Sequence, residues 1–260
     1  MVNQQSIVFM VVSAFFSLLV PVVIFIYYKK KRGVFWKPLL VGIVVFLAFS
    51  QLLGNSVNAF VLHQNETTAN FFKSNPYLFA VYGSLSSSIF EEVGRFIGFA
   101  YLLKKYREWK DGISYGIGHG GVEAILIGGF ASLQNIMTAN LINTGKFDQM
   151  LEVGGKQSEA LMGVKQQLIQ APSEVFLLTG FERITVFILQ IALSLLVLYA
   201  VRHKNLLYLF YAILIHGSVN FIVLISKVLE VHFLITEGVL LIAAVLSIVY
   251  MRRSRFHFVG

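Results

Sequence analysis

The chain has 260 residues, 57% of them hydrophobic and 13% charged, with a mean hydropathy of +0.73. Soluble domains carry about 25% charged residues, so an ordinary soluble enzyme and a disordered chain are both excluded. The formal charge is +8, from 21 basic and 13 acidic residues, and the lack of cysteine removes disulfides, thiolate nucleophiles and cysteine-bound zinc.

A helix that crosses a bilayer needs about 20 apolar residues. In chain order the sequence predicts seven, at about 6–28, 38–62, 77–103, 112–138, 174–201, 205–229 and 233–251. The expected fold is all-α, a polytopic bundle forming one membrane domain over 1–260. The first span has no basic residue before it and no small-residue cleavage site after it, so it is expected to be a retained span. Segments 28–37, 104–110, 202–204 and 252–255 hold fourteen of the 21 basic residues, among them Lys29-Lys30-Lys31-Arg32. With seven spans these segments share a side, and the positive-inside rule puts the N-terminus outside and the C-terminus in the cytoplasm. The basic excess therefore marks topology and does not indicate nucleic acid. Of the outer segments, 63–76 is polar. The segment 139–173 includes a stretch, Phe147 to Leu168, with apolar residues at helical spacing. It is expected to be a surface loop with a short interfacial helix, or else a cap over a site that opens outward.

An ionisable group inside a span costs at least ~2.5–3.5 kcal/mol, so such groups are usually functional or paired. The expected intramembrane set is Glu91, Glu92, Arg95, His119, Glu123, Glu182, Arg183 and His216, with Gln190 and Asn220 as neutral companions. Glu91 lies 13 residues before Lys104, Glu123 13 after Lys110, His216 12 after Lys204 and Gln190 12 before Arg202. At the helical rise all four sit roughly 18–20 Å from the basic edge, which predicts that they converge in one layer. Glu91 and Arg95, His119 and Glu123, and His216 and Asn220 are each four residues apart, on one face of their helix.

Plain packing roles are also open. Glu91 can pair with Arg95, Glu92 with Arg183, and the histidines can join helices through hydrogen bonds. Glu182 and Arg183, nearer the outside, read best as structural. Gly112, Gly116 and Gly120 recur every fourth residue beside Gly118, Gly121, Gly128 and Gly129, as close helix packing requires, and they also leave room beside His119. Ser84, Ser86, Ser87 and Ser88 make the helix before Glu91 narrow and polar, with no Ser–Lys or Ser–His spacing that would suggest a nucleophile.

Two chemistries suit these residues. One carboxylate can activate water while a histidine or asparagine donates to a developing oxyanion. Alternatively His119, Glu123, His216 and Glu91 can hold a divalent metal such as zinc. The metal-protease signature HExxH does not occur.

The motifs Glu91-Glu92-Val93-Gly94-Arg95, Gly118-His119-Gly120-Gly121-Val122-Glu123-Ala124 and His216-Gly217-Ser218-Val219-Asn220-Phe221 resemble the YhfC family of bacterial intramembrane proteases. That family is related to the CAAX-type CPBP (Abi) proteases and to PrsW-type proteases. The resemblance covers about 77–250 and implies a multi-pass protein of the bacterial cell membrane. It further implies a peptidase whose site lies inside the bilayer and whose substrate is a membrane-embedded or membrane-associated protein. It implies Glu91 as the water-activating residue of the Glu91–Glu92 pair, Glu123 as the end of the second motif, and His216 and Asn220 as oxyanion stabilisers. Arg95 follows Glu92 by three positions, nearer the PrsW pattern than the CAAX one. Gln190 stands where relatives are expected to carry histidine, which favours a metal-free glutamate mechanism with no cofactor, zinc being the alternative. Arg95, His119 and Gln190 are expected to support the site. A proton- or cation-coupled transporter and a non-enzymatic chaperone or immunity factor are the competing classes. No inverted repeat of the transporter kind is visible.

Overall fold

The protein is described by a computed structural model covering residues 1–153 and 158–258. Among these residues there is no strand. Six helices are long and apolar enough to cross a membrane: α1 (Gln4–Lys31), α2 (Trp36–Gln64), α5 (Trp109–Asn143), α8 (Ser173–Arg202), α9 (Leu207–Val228) and α10 (Phe233–Phe258). The remaining helices are α3 (Glu66–Ser74), α4 (Pro76–Ile97, extended by a π-helical turn Gly98–Leu102), α6 (Lys146–Val153) and α7 (Ser158–Gln170). The expected span 77–103 is thus α4. It is helical throughout but not among the six, because Glu91, Glu92, Arg95 and the serines dilute its apolar character.

Local chemistry sets the breaks. Gly33 and Gly145 take positive φ, +70° and +76°, just past the ends of α1 and α5, where a side chain would be strained. Asn65 caps α3 by accepting from the Thr68 amide at 3.2 Å. Pro76 opens α4, where its missing N–H costs nothing. The polar segment 63–76 accordingly carries a helix the sequence reading did not anticipate.

The described residues form two compact units, one of residues 1–22 and 123–184, the other of residues 23–122 and 185–260. In the first, Val2, Met10, Ala139, Ile142, Phe147, Leu168 and Phe176 form a buried core. Phe147 and Leu168, expected in a surface loop, are therefore core residues on α6 and α7; residues 154–157 of that stretch lie outside the described set.

In the second unit the first half of α5 is the central element, and every residue from 111 to 121 is buried. The glycine ridge explains how. A Cβ at Gly112 would stand 2.7 Å from Leu195, one at Gly116 2.6 Å from the Ile191 backbone, and one at Gly120 2.7 Å from Gln190, all on α8. On the opposite face Gly118 meets the Leu39 carbonyl of α2, and Gly42 of α2 meets the Tyr115 carbonyl. Small residues on both faces let backbones touch, which brings His119 close to the helices that carry its partners. Along another seam α4 and α9 meet through Gly217 against Ser88 and Gly83 against Leu224.

The four basic segments gather at one end of this unit. Tyr28 lies 6.5 Å from Trp109 ring to ring, and Trp109 Nε1 donates to the Met251 carbonyl at 3.1 Å. Lys37 sits 5.5 Å over Tyr106, and Arg202 donates to the carbonyls of Arg107 and Phe258 at 3.4 and 3.0 Å.

Candidate active site

Glu91 lies in the middle of the second unit, on α4. Its Oε2 has His119 Nε2 at 3.1 Å, Gln190 Nε2 donating at 3.0 Å and His216 Nε2 at 4.0 Å. Those residues come from α5, α8 and α9, so four helices meet at one carboxylate oxygen. Glu91, His119, Gln190 and His216 are all buried. Of the four residues expected from helical rise to share a layer, Glu91, Gln190 and His216 meet here with His119 beside them, while Glu123 belongs to the first unit.

The other oxygen, Oε1, has a looser setting. Ser50 of α2 donates to it at 3.2 Å and Ser87 at 3.4 Å, and Asn220 Nδ2 lies 3.5 Å from Ser87 Oγ. Ser50, Ser87 and Asn220 are only half-buried. The carboxylate therefore has a sealed side of imidazoles and amide, and a more open side of hydroxyls and Asn220.

Glu92 points elsewhere. Both its oxygens accept from Arg95 Nη1, at 2.9 and 3.0 Å, and its Oε1 also accepts from His216 Nδ1 at 2.8 Å. The arginine partner is Glu92, three residues away, and not Glu91, four away. Arg183, which the sequence offered as a partner for Glu92, has Glu182 as its carboxylate partner, with Glu123 at 3.9 Å. Arg95 also donates through Nη2 to Gln190 Oε1. The Gln190 amide is thereby fixed, carbonyl toward Arg95 and NH2 toward Glu91.

Glu123 ends the α-helical part of α5, one turn past His119. It is buried and belongs to the first unit, where Arg183 is its cation. His119 is held by aromatic packing, with Phe46 and Tyr115 rings at 5.1 and 6.0 Å, while its Nδ1 is buried with no partner among the described residues.

Ser50 and its neighbour Gln51 were not singled out from the sequence. They lie in a π-helical stretch of α2, Phe46–Gly54, and π turns recur at functional sites. The signal available was a polar pair near the centre of a predicted span.

A family model described as "YhfC intramembrane metalloprotease" matches residues 16–254. The "Uncharacterized membrane protein YhfC" of Bacillus subtilis (strain 168) is 38% identical over 256 residues, 98% of each chain. No solved structure matches. The family description names a metal-dependent protease, so the metal-free preference drawn from Gln190 finds no support there. Matched over most of its length by that model and alike to the Bacillus protein almost end to end, the chain belongs to the YhfC intramembrane metalloprotease family.

Proposed function

We propose that the protein hydrolyses peptide bonds in a membrane-embedded or membrane-associated substrate at a centre built on Glu91. The observation that carries this reading is the approach of three nitrogen-bearing side chains, from three other helices, to one buried carboxylate oxygen. Helix packing rarely needs so many polar groups at one point.

Glu91, His119 and His216 suit a divalent metal of the zinc class, being a carboxylate and two imidazoles. The fit rests on His216, whose Nδ1 is held by Glu92 at 2.8 Å so that Nε2 turns toward Glu91. A carboxylate behind the ring is the usual support of a ligating histidine. Such an ion, when bound, polarises water and the scissile carbonyl. Glu91 Oε1, restrained only by two long serine hydrogen bonds, accepts the proton of the attacking water and returns it to the leaving amine. Asn220, on this same side, donates to the oxyanion of the tetrahedral intermediate. Glu92, Arg95 and Gln190 are positioning residues: they orient His216 and the Glu91 carboxylate.

A second reading keeps these residues without a metal. It rests on Gln190, an amide at a place where an imidazole would supply a further nitrogen ligand.

The test compares membrane peptide fragments in cells carrying the wild type and Glu91→Gln. Fragments that appear only with the wild type are expected. The same fragments at the same levels with Glu91→Gln would sink the reading.

A further inference from the structure

At the basic end of the second unit, a cavity of about 460 Å³ opens between the end of α1, the start of α5, α8 and α10. It is distinct from the Glu91 centre and shares no lining residue with it. Its walls are graded. Ile24, Ile188 and Ile248 form an apolar inner face. Tyr27, Tyr28 and Trp109 form an aromatic collar, and Arg252 and Arg255 stand at the mouth.

Each layer has a reason to suit one kind of molecule. Aliphatic side chains accept an alkyl chain. Tyrosine and tryptophan prefer the level where chains give way to headgroups. The indole is already anchored, donating to the Met251 carbonyl at 3.1 Å and to Ser254 Oγ at 3.3 Å, so the collar is fixed in place. Arg252 and Arg255 are exposed, and neither guanidinium has an ion pair or hydrogen bond among the described residues. Of the acidic groups near this end, Glu108 is taken by Lys110 at 2.8 Å and Asp111 is buried, accepting from the Glu108 amide at 2.9 Å. Two uncompensated guanidinium groups above an apolar slot complement a single anionic headgroup with its chain.

We propose that this cavity is a binding site for an anionic phospholipid, with the phosphate on Arg252 and Arg255 and one acyl chain along the isoleucines. The lipid bridges α1, α5, α8 and α10, so binding stabilises the folded protein in proportion to the logarithm of lipid concentration.

The experiment follows the thermal midpoint of the purified full chain in detergent. Phosphatidylglycerol, phosphatidylcholine and inorganic phosphate are titrated separately. Phosphatidylglycerol is expected to raise the midpoint progressively, and the other two to leave it unchanged. The double variant Arg252→Gln with Arg255→Gln should weaken apparent lipid affinity by roughly tenfold or more. Arg253→Gln, on the same helix but outside the cavity, should retain it. Ile248→Trp fills the slot without touching charge and should also abolish the rise, which keeps the test decisive if the double variant does not fold. An equal rise with phosphatidylcholine or with phosphate overturns the proposal. So does an Ile248→Trp protein that responds like the wild type, or an Arg253→Gln loss as large as that of the double variant.

Discussion

Glu91 and Glu92 are neighbours in the chain with opposite settings. Glu92 is wholly enclosed and tied to Arg95 and His216. Breaking a buried ion pair from one side typically costs about 3–5 kcal/mol, so Glu92→Gln should lower thermal stability sharply and reduce activity with it. Glu91 makes its contacts through hydrogen bonds that an amide partly keeps. Glu91→Gln should therefore retain most stability while cleavage falls by at least ~10²-fold, as measured by fragment release and by melting of the same preparation. Asn220→Ala should cut turnover about 10²–10³-fold with little change in stability, if it donates to the oxyanion; unchanged turnover would remove it from the mechanism. At this scale the sequence is half legible. Counting residues from the basic loops placed Glu91, Gln190 and His216 together, because helical rise is nearly constant. The pairing of Arg95 was not legible, since positions three and four residues away are both within reach and tertiary partners decide between them.

The glycines of α5 show what an element adds. Gly112, Gly116 and Gly120 each meet a specific atom of α8 and Gly118 one of α2, so the ridge seen in the sequence is a contact surface. Gly116→Ala would put a methyl 2.6 Å from the Ile191 backbone and force α5 and α8 apart. A loss of about 1–3 kcal/mol is expected from such overpacking, together with lower activity as His119 and Gln190 separate. Gly163 on α7 has open space around it. Gly163→Ala should stabilise that helix by about 0.5–1 kcal/mol and leave cleavage alone. Melting curves of the two variants would show opposite shifts; a destabilisation of equal size in both would mean that the close approach is not the cause. Span positions were legible because twenty apolar residues in a row leave few alternatives. The π-helical stretch that carries Ser50 was not, since one extra residue in a turn leaves no mark on composition. Nor was the burial of Phe147 and Leu168, where helical spacing gives a face but not what covers it.

For the whole molecule, the basic segments give the boldest statement about orientation. They meet at one end of the second unit, as the charge distribution of the sequence requires. If that end is cytoplasmic, Lys105→Cys, His203→Cys and Arg253→Cys should each label only from the cytoplasm, and Asn70→Cys only from outside. The natural chain has no cysteine, so each variant reports one site. Labelling of Lys105→Cys and Arg253→Cys from opposite faces would contradict the arrangement.

Within the intramembrane set expected from the sequence, acidic residues outnumber basic ones, four (Glu91, Glu92, Glu123, Glu182) to two (Arg95, Arg183). That surplus suits both a bound cation and a proton acceptor. The account is tested most directly by peptide cleavage in proteoliposomes, measured before chelation, after exhaustive chelation, and after zinc is restored. It predicts cleavage that is lost on chelation, returns with zinc, and stays absent throughout in Glu91→Gln. Undiminished cleavage by protein verified to be metal-free would contradict it.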